Sequence, residues 1–397
     1  MTFKDTVRKL IPGFVLSFYH FCWALFGAVI FGFPGESKSF KIIGITGTSG
    51  KSTTSDLVTR ILEESGNKVA SISTIRFKIG EKEWENKYKM TMPGRFVIQK
   101  FLKQAKNAGC DFVVLEVTSQ GIEQYRHKFI NFDTAVFTNL SPEHIESHHG
   151  FENYRNEKLK LFKATKNVHV INIDDENKKY FLDISAKKKI TFGQAQGDFN
   201  LQNTKFNLPL VGDFNKYNAL AAICVARNYG ANLNVCIKAL ESAKAIAGRM
   251  EIIQKEPFEI VVDYAHTPVQ LESVYKSFDG KPLVCVLGSC GGGRDKWKRP
   301  VLGEIANRYC SEIFITNEDP YDEDSMEIIN QVAEKAGTNA KKILDRKEAI
   351  ESAIKSAKPG DVVVITGKGS EPWLCVANGK KIPWSDRQIA QDAVNSK

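Results

Sequence analysis

No two of the eight cysteines, at positions 22, 110, 224, 236, 285, 290, 310 and 375, form a CxxC pair or any other close ligand spacing. A cysteine zinc module and a small disulfide scaffold are thereby excluded, and the expected state is a reduced, zinc-free chain on the cytoplasmic side. Proline and glycine are too few, 13 and 29 residues, for a collagen-like or low-complexity chain, and 42% hydrophobic residues is too many for a disordered one. A basic arm is also lacking. The 55 Lys and Arg exceed the 46 Asp and Glu by nine, but the surplus is spread along the chain, which suits an anionic substrate better than a nucleic acid.

What remains is a globular chain of 397 residues, enough for two or three domains at roughly 100–200 residues each. One long apolar run interrupts the soluble pattern. Between Phe14 and Phe33 only Ser17 and His20 are polar, with Lys4, Arg8 and Lys9 before the run and Lys38 and Lys41 after it. The run is long enough to span a bilayer once. No small-residue cleavage site follows it, and a nucleotide motif begins about ten residues later, so cleavage and export are not expected. A span would place Met1 and the three basic residues outside, against the positive-inside tendency; an interfacial or re-entrant anchor fits at least as well. A helix buried on the body of the protein is the alternative.

The strand Lys41–Ile45 leads into Thr46-Gly47-Thr48-Ser49-Gly50-Lys51-Ser52-Thr53-Thr54, after which Leu57, Val58, Ile61 and Leu62 recur at helical spacing up to Gly66. Strand, glycine loop and helix in this order form a phosphate cradle. Loop N–H groups and the helix dipole meet phosphate oxygens, Lys51 neutralises the β/γ charge of ATP, and the Ser52 hydroxyl can ligate Mg²⁺. The loop departs from the usual GxxxxGK[ST] in having only two residues between Gly47 and Gly50. Two further strands, Asp111–Val117 and Thr134–Thr138, place Glu116 and His144 at carboxyl ends, where parallel α/β sheets bind ligands. Singly, Glu116 reads as a helix-cap partner and His144 as a turn histidine; together at adjacent strand ends they favour a metal role.

These residues carry a family resemblance. TGTSGKSTT, LEVTSQGIEQYR, FDTAVFTNLSPEH and HGFENYRNEKLKLF resemble the ATP-binding core of the Mur ligases, most of all the MurE type. INIDDEN, GDFNKYNALAA, AGRMEII, VDYAHTP, GGGRDKWKRP, GKGSE and SDR continue it to the C-terminus. The resemblance implies an ATP-dependent amide ligase of peptidoglycan synthesis acting on a muramoyl peptide and a free amino acid. It further implies that Gly47, Thr48, Ser49, Gly50, Lys51, Ser52 and Thr53 hold the ATP phosphates and that Asn218 contacts adenine. Arg249, Asp263 and His266 would be ATP-site residues near the domain junction. Ser52 and Glu116 would bind one Mg²⁺ and His144 a second. Lys158 matches the family's carbamylated lysine, whose carbamate turns a cation into an anionic oxygen ligand. Thr91, Pro93, Thr118, Gln124 and Arg126 match acceptor-binding positions, while Met92 and Gln120 replace a Thr and a His of the family pattern.

From Phe258 onward strands at Glu259–Val262, Leu283–Leu287, Glu312–Thr316, Lys342–Leu344 and Val362–Ile365 alternate with helical stretches, which predicts a second, Rossmann-like doubly wound sheet. The expected division is an apolar segment over 1–40, an ATP-binding central domain over 41–247 and an amino-acid-binding domain over 248–397, with Arg249 reaching the phosphates on closure. By resemblance Arg294 holds the α-carboxylate of the incoming amino acid, and Gly367 and Glu371 lie at its distal end. The specificity loop reads Glu318-Asp319-Pro320-Tyr321 where the diaminopimelate pattern is DNPR. Tyr321 cannot clamp a distal carboxylate as Arg does, and acids at 318, 319 and 371 favour lysine or ornithine over meso-diaminopimelate. Only about forty residues precede the first strand, so the family's uridine-diphosphate-gripping domain is expected to be missing and a membrane-borne acceptor becomes a candidate. Rival readings are a folylpolyglutamate or polyglutamate synthase, a MurT-like ligase, which the lack of a four-cysteine module disfavours, and a non-catalytic membrane-attached nucleotide-binding scaffold.

Overall fold

The computed structural model describes residues 11–88 and 90–396; Lys4, Arg8 and Lys9 lie outside the described residues. Two compact units are present. The first runs to Pro142 and includes Gly150–Pro209 and Asp213–Lys244, and the second comprises Glu143–His149, Leu210–Gly212 and Ala245–Lys397.

The first unit is built on a nine-stranded sheet. Its strands are β1 (Lys41–Thr46), β2 (Val69–Ile72), β3 (Arg76–Ile79), β4 (Lys82–Glu85), β5 (Phe112–Glu116), β6 (Phe132–Phe137), β7 (Val168–Asn172), β8 (Lys188–Gly193) and β9 (Phe199–Asn200), in the order β4-β3-β2-β5-β1-β6-β7-β8-β9. From β2 to β9 every pairing is parallel, and β3 and β4 add an antiparallel edge. Continuous burial of Ile42, Ile43, Ile45, Val113, Val114 and Leu115 explains the unbroken apolar runs, because helices cover both faces of a parallel sheet. The register sets Ile45 beside Glu116 and Thr46 beside Phe137, so β1, β5 and β6 end level at one edge.

The second unit holds β10 (Glu251–Gln254), β11 (Glu259–Val262), β12 (Leu283–Leu287), β13 (Glu312–Thr316), β14 (Ala340–Ile343) and β15 (Val362–Ile365) in the order β10-β11-β15-β12-β13-β14, with only β10 antiparallel. A small hairpin of β16 (Trp373–Cys375) and β17 (Lys381–Pro383) follows. Both units are thus α/β with largely parallel sheets. The all-thiol expectation is corrected at one pair: Cys285 on β12 and Cys310 after the Lys298–Tyr309 helix form a disulfide, their Cα atoms 6.1 Å apart. Their separation of 25 residues gave no local signal in the sequence.

The apolar run forms the helix Gly13–Phe31, which lies on the Arg95–Asn107 helix of the first unit. It is not a buried helix. Only Ala24, Gly27 and Ala28 are buried, while Phe14 and Phe18 are 77% and 69% exposed.

One buried ion pair braces the second unit behind its loops. Arg346 donates to both carboxylate oxygens of Asp386 at 2.9 and 2.7 Å, to the Thr366 carbonyl at 2.7 Å and to the Asn317 carbonyl at 3.3 Å, with both side chains fully buried. Burial works against the Arg346 charge and Asp386 more than offsets it. Asp386→Ala strands the guanidinium and is expected to cost about 3–5 kcal/mol in urea denaturation. A loss under about 1 kcal/mol would mean that the pair is not a structural brace.

Candidate active site

The turn after β1 is made by close approach. Gly50 has φ +78°, and a Cβ there would collide with the Asn218 carboxamide; Thr54 donates to that same oxygen at 3.2 Å. Side chains after β6 pin the loop from the other side: Asn139 Oδ1 accepts from Ser49 N at 2.9 Å, and Thr138 donates to the Ser49 carbonyl at 2.7 Å. The Thr48 hydroxyl meets Tyr154 Oη at 3.0 Å and accepts from Ser141 N at 3.0 Å. Inside this frame two lysines converge on one oxygen. Lys51 Nζ donates to the Gly47 carbonyl at 3.0 Å and to Thr48 at 2.8 Å, and Lys158 Nζ reaches the same Gly47 oxygen at 2.8 Å. Lys158 is 2% exposed and stands 4.5 Å above the Tyr154 ring. Ser52 and Thr53 are buried at the start of the Lys51–Glu64 helix.

Glu116, 1% exposed, accepts from the Thr74 N–H and the Thr74 hydroxyl, each at 3.1 Å. The Thr74 proton is therefore committed to the carboxylate, and Thr91, whose hydroxyl lies 2.9 Å away, donates to Thr74. A hydroxyl relay thus joins Glu116 to Thr91 through Thr74. Thr118 caps the Ser119–Glu123 helix through Gly121 N at 3.1 Å. Arg126 donates to the Met92 carbonyl and to Gln124 Oε1, its Nε is buried without a hydrogen bond, and burial followed by Arg95 lowers its pKa to about 10. It stays cationic at neutral pH. Lys51, Ser52, Glu116, Lys158, Asn218 and the acceptor positions all belong to the first unit.

His144 does not. It falls in the second unit, with Nδ1 at 3.2 Å from Arg294 Nη1. The reason is local: Asp295 accepts from Ile145 N and Glu146 N at 3.2 and 3.0 Å, holding the Glu143–His149 segment to the loop after β12. Neighbouring positions in the chain thus fall in different units, Glu116 in the first and His144 in the second.

The parallel register of β11, β15, β12 and β13 gathers the remaining residues at one edge of the second sheet. Asp263 is buried, which raises its pKa against the opposing effect of Arg249, and accepts from Met250 N and Ala265 N, both at 2.7 Å. Arg249 lies over the Tyr264 ring at 4.3 Å. His266 Nδ1 contacts the Tyr264 carbonyl at 2.8 Å and Nε2 contacts Glu143 at 2.9 Å. The Tyr264 carbonyl can only accept, so Nδ1 is the protonated ring nitrogen on that side.

Glu318 and Asp319 are each 2% exposed. Gly367, at φ +108°, leaves room for Glu318; a Cβ there would meet its Oε2 at 2.5 Å. Cys290 donates to Glu318 Oε1 at 2.8 Å, and proximity to Glu318 and Asp319 adds to burial in raising its thiol pKa. The acids at 318, 319 and 371 are not three open charges: Lys368, fully buried, bridges Asp319 at 2.9 Å and Glu371 at 2.5 Å. Sequence reading missed Thr74 and Lys368. Lys368 lay within GKGSE, flanked by residues that were read, whereas Thr74 has no local signal.

Residues 45–226 match the Mur ligase middle domain, and 248–369 match the domain described as Mur ligase, glutamate ligase domain. A UDP-N-acetylmuramoyl-L-alanyl-D-glutamate–2,6-diaminopimelate ligase of Syntrophomonas wolfei is 35% identical across 94% of this chain and 82% of its own. The chain belongs to the Mur ligase family. As a Mur ligase it is an ATP-dependent amide ligase. A relative of the same description from Aquifex aeolicus is 36% identical over 91% of this chain and 78% of its own. A solved diaminopimelate ligase structure at 28% identity superposes with a TM-score of 0.59 over 90% of this chain and 78% of that one. Folylpolyglutamate synthase of Mycobacterium tuberculosis reaches a TM-score of 0.72 over 93% of each chain at 16% identity, which is a likeness of fold alone.

No cluster of three or more His, Cys, Asp or Glu side chains that could hold a metal occurs among the described residues. The ligase instead offers one carboxylate and one hydroxyl near the phosphate loop, a hard-oxygen set of the kind that suits Mg²⁺, which keeps waters and takes phosphate oxygens. Thr74 orients that carboxylate. Thr74→Val is expected to raise the Mg²⁺ concentration for half-maximal ATP turnover about 10–100-fold with little change in thermal stability. An unchanged Mg²⁺ titration would remove Thr74 from the site.

Proposed function

We propose that this Mur ligase adds an amino acid, a diamino acid at the third peptide position, to a muramoyl peptide in peptidoglycan synthesis. The work is divided between an ATP-binding domain over 41–247 and an amino-acid-binding domain over 248–397, with the 1–40 segment as a membrane anchor at the inner face of the plasma membrane. The γ-phosphoryl group of ATP passes to the peptide carboxylate, giving ADP and an acyl-phosphate. The amine then attacks the carbonyl carbon, and the tetrahedral intermediate expels phosphate to leave the amide. The departing amine proton goes to Glu143 or to the phosphate.

The observation that carries this reading is the convergence of Lys51 and Lys158 on the Gly47 carbonyl. Two ammonium groups so placed concentrate positive charge on the phosphate loop. A polyphosphate matches that charge, and carbamylation of Lys158 would leave an N–H for Gly47 and add an anionic oxygen pair. Lys51 stabilises the charge on the transferred phosphoryl group. Ser52, Glu116 and the carbamate are the residues that would hold Mg²⁺, which when bound neutralises charge developing on the phosphate. His144, whose Nδ1 lies beside Arg294, is the residue that would hold a second Mg²⁺. Asn218 serves the adenine, and Arg249, Asp263 and His266 are the second unit's contribution to ATP. Thr91, Thr118, Gln124 and Arg126 bind the acceptor.

For the amino acid, the names of the relatives point to diaminopimelate and the side chains point elsewhere. Lys368 cancels one of the three carboxylates at Glu318, Asp319 and Glu371, which leaves an excess of two negative charges. Arg294 is assigned the α-carboxylate. Tyr321 occupies the loop position where the diaminopimelate pattern has its clamping Arg. An ammonium at the distal end of the substrate is therefore favoured over a carboxylate. The rival folylpolyglutamate reading rests on fold likeness at 16% identity, and a non-catalytic scaffold or a MurT-like ligase has no observation of its own.

An amino-acid panel with mass detection of the product tests this. Lysine or ornithine is expected to exceed meso-diaminopimelate in kcat/KM by about tenfold or more, and Tyr321→Arg to narrow that ratio. Preference for meso-diaminopimelate would overturn the side-chain argument without touching the ligase reading. Lys158→Ala is expected to lower amino-acid-dependent phosphate release at least about 100-fold; retention of full activity would remove Lys158 from the phosphoryl-transfer site.

A further inference from the structure

The Gly13–Phe31 helix is apolar on every side, and its two sides meet different surroundings. Its inner side is seated on the first unit along most of its length. Ser17 Oγ is 2.8 Å from Tyr125 Oη, and Phe21 meets the Tyr125 and Phe129 rings at 6.2 and 5.7 Å. His20 hydrogen-bonds Arg95, and Gly27 sits on the backbone at Arg95 and Phe96. The outer side presents Phe14, Phe18, Tyr19, Trp23, Phe26 and Ile30, each at least 40% exposed. That is far more apolar surface than a soluble protein leaves in one patch.

The chain beside the helix is rich in cations, although Glu36 in the turn after it and Glu123 just before Tyr125 are exposed acids. Between Asn86 and Cys110 the sequence has six Lys and Arg and no Asp or Glu. Phe96, which touches Trp23 and Phe26, shares a helical stripe with Lys100 and Lys103, and both lysines are exposed. Exposed Lys106 and Lys128 extend this field. Apolar side chains flanked by cations match the boundary between acyl chains and anionic headgroups, whereas a second copy of this same surface would bring like charges together.

We infer that the Gly13–Phe31 helix lies in the plane of an anionic bilayer leaflet, its outer side in the acyl region and Lys100, Lys103 and Lys106 at the headgroups, without crossing the membrane. A spanning helix would draw Arg95, Gln124 and Tyr125 into hydrocarbon with it. Arg95 donates to the Gln124 carbonyl at 2.9 and 2.6 Å, and Gln124 in turn accepts from Arg126, so the membrane-facing helix is hydrogen-bonded to the acceptor-binding loop. The lipid surface and the acceptor site are thereby fixed relative to each other, and a muramoyl peptide carried on a lipid diphosphate is the acceptor class that such placement serves. This inference rests on the membrane placement proposed above and adds its geometry.

Vesicle flotation of the full chain tests the placement, and Trp23 quenching tests the geometry. Binding to phosphatidylcholine vesicles containing phosphatidylglycerol is expected to exceed binding to phosphatidylcholine alone by about tenfold or more and to weaken with salt. Phe14→Ser/Phe18→Ser/Phe26→Ser should lower vesicle binding at least about tenfold with unchanged circular dichroism and ATP binding. Lys100→Gln/Lys103→Gln/Lys106→Gln should abolish the preference for the anionic lipid. Lipids brominated near the headgroup should quench the signal lost in Trp23→Phe more than lipids brominated near the chain end. Stronger quenching from the chain end would overturn the in-plane geometry while leaving membrane placement intact. Absence of flotation, with a lipid-free dimer that the triple Phe variant dissociates, would overturn both.

Discussion

Gly47 joins the fold to the chemistry. Its carbonyl can take two lysines only because β1 ends level with β5 and β6, and that register is set by the parallel pairing of Ile45 with Glu116 and of Thr46 with Phe137. A slip of one residue would invert the side chains of a strand and carry Glu116 to the opposite face. The phosphate loop, the carboxylate and the pinning residues Thr138 and Asn139 are therefore one consequence of one sheet register. The same applies to the second unit, where β11, β15, β12 and β13 bring Asp263, Gly367, Cys290 and Glu318 to a common edge. In both sheets binding groups sit in loops at carboxyl ends while the buried strands supply rigidity, the division of labour that parallel α/β folds impose.

The phosphate loop was legible in the sequence because its parts are contiguous: strand, glycines, Lys51 and an amphipathic helix follow one another within about twenty residues. Glu116 was legible for the related reason that an apolar run ending in a carboxylate marks a buried strand end. What the sequence withheld depends on contacts between distant positions. Thr74 and Glu116 are 42 residues apart, Lys368 and Asp319 are 49 apart, and no periodicity encodes either pair. The unit to which His144 belongs was hidden for another reason. Strand order places it after β6, but two backbone bonds to Asp295, 150 and 149 residues away, assign it to the second unit. The Cys285–Cys310 disulfide escaped notice because cysteine spacing is informative only when ligands are close in the chain.

Charge arithmetic at the amino-acid site changes character once partners are known. Read as sequence, Glu318, Asp319 and Glu371 are three equal attractions for a cation. In the folded chain Lys368 is enclosed between two of them, and Asp319 also accepts from Cys375 N at 2.7 Å, which makes that acid part of the scaffold. Glu318 has one oxygen bonded by Cys290 and the other buried without a hydrogen bond. A buried carboxylate oxygen left in that state is costly. Of the three acids, Glu318 is therefore the one least compensated by the folded chain, and Lys368 sets the background charge beside it.

The same reasoning bears on the apolar helix. Were the exposed Phe14 and Phe18 side chains simply a stability defect, polar residues on that side would serve as well, since neither is buried against the first unit. The interface instead uses Ala24, Gly27 and Ala28, small residues that let the helix backbone approach the Arg95–Asn107 helix closely, and two hydrogen bonds that would be weakly rewarded on a freely detachable segment. Close packing on one side and bulky apolar groups on the other are contradictory demands for a helix in water. They are consistent for a helix that has protein on one side and lipid on the other. Because the inner contacts run through Tyr125, Arg95 and Gln124, any surface that holds the helix also fixes the loop carrying Arg126.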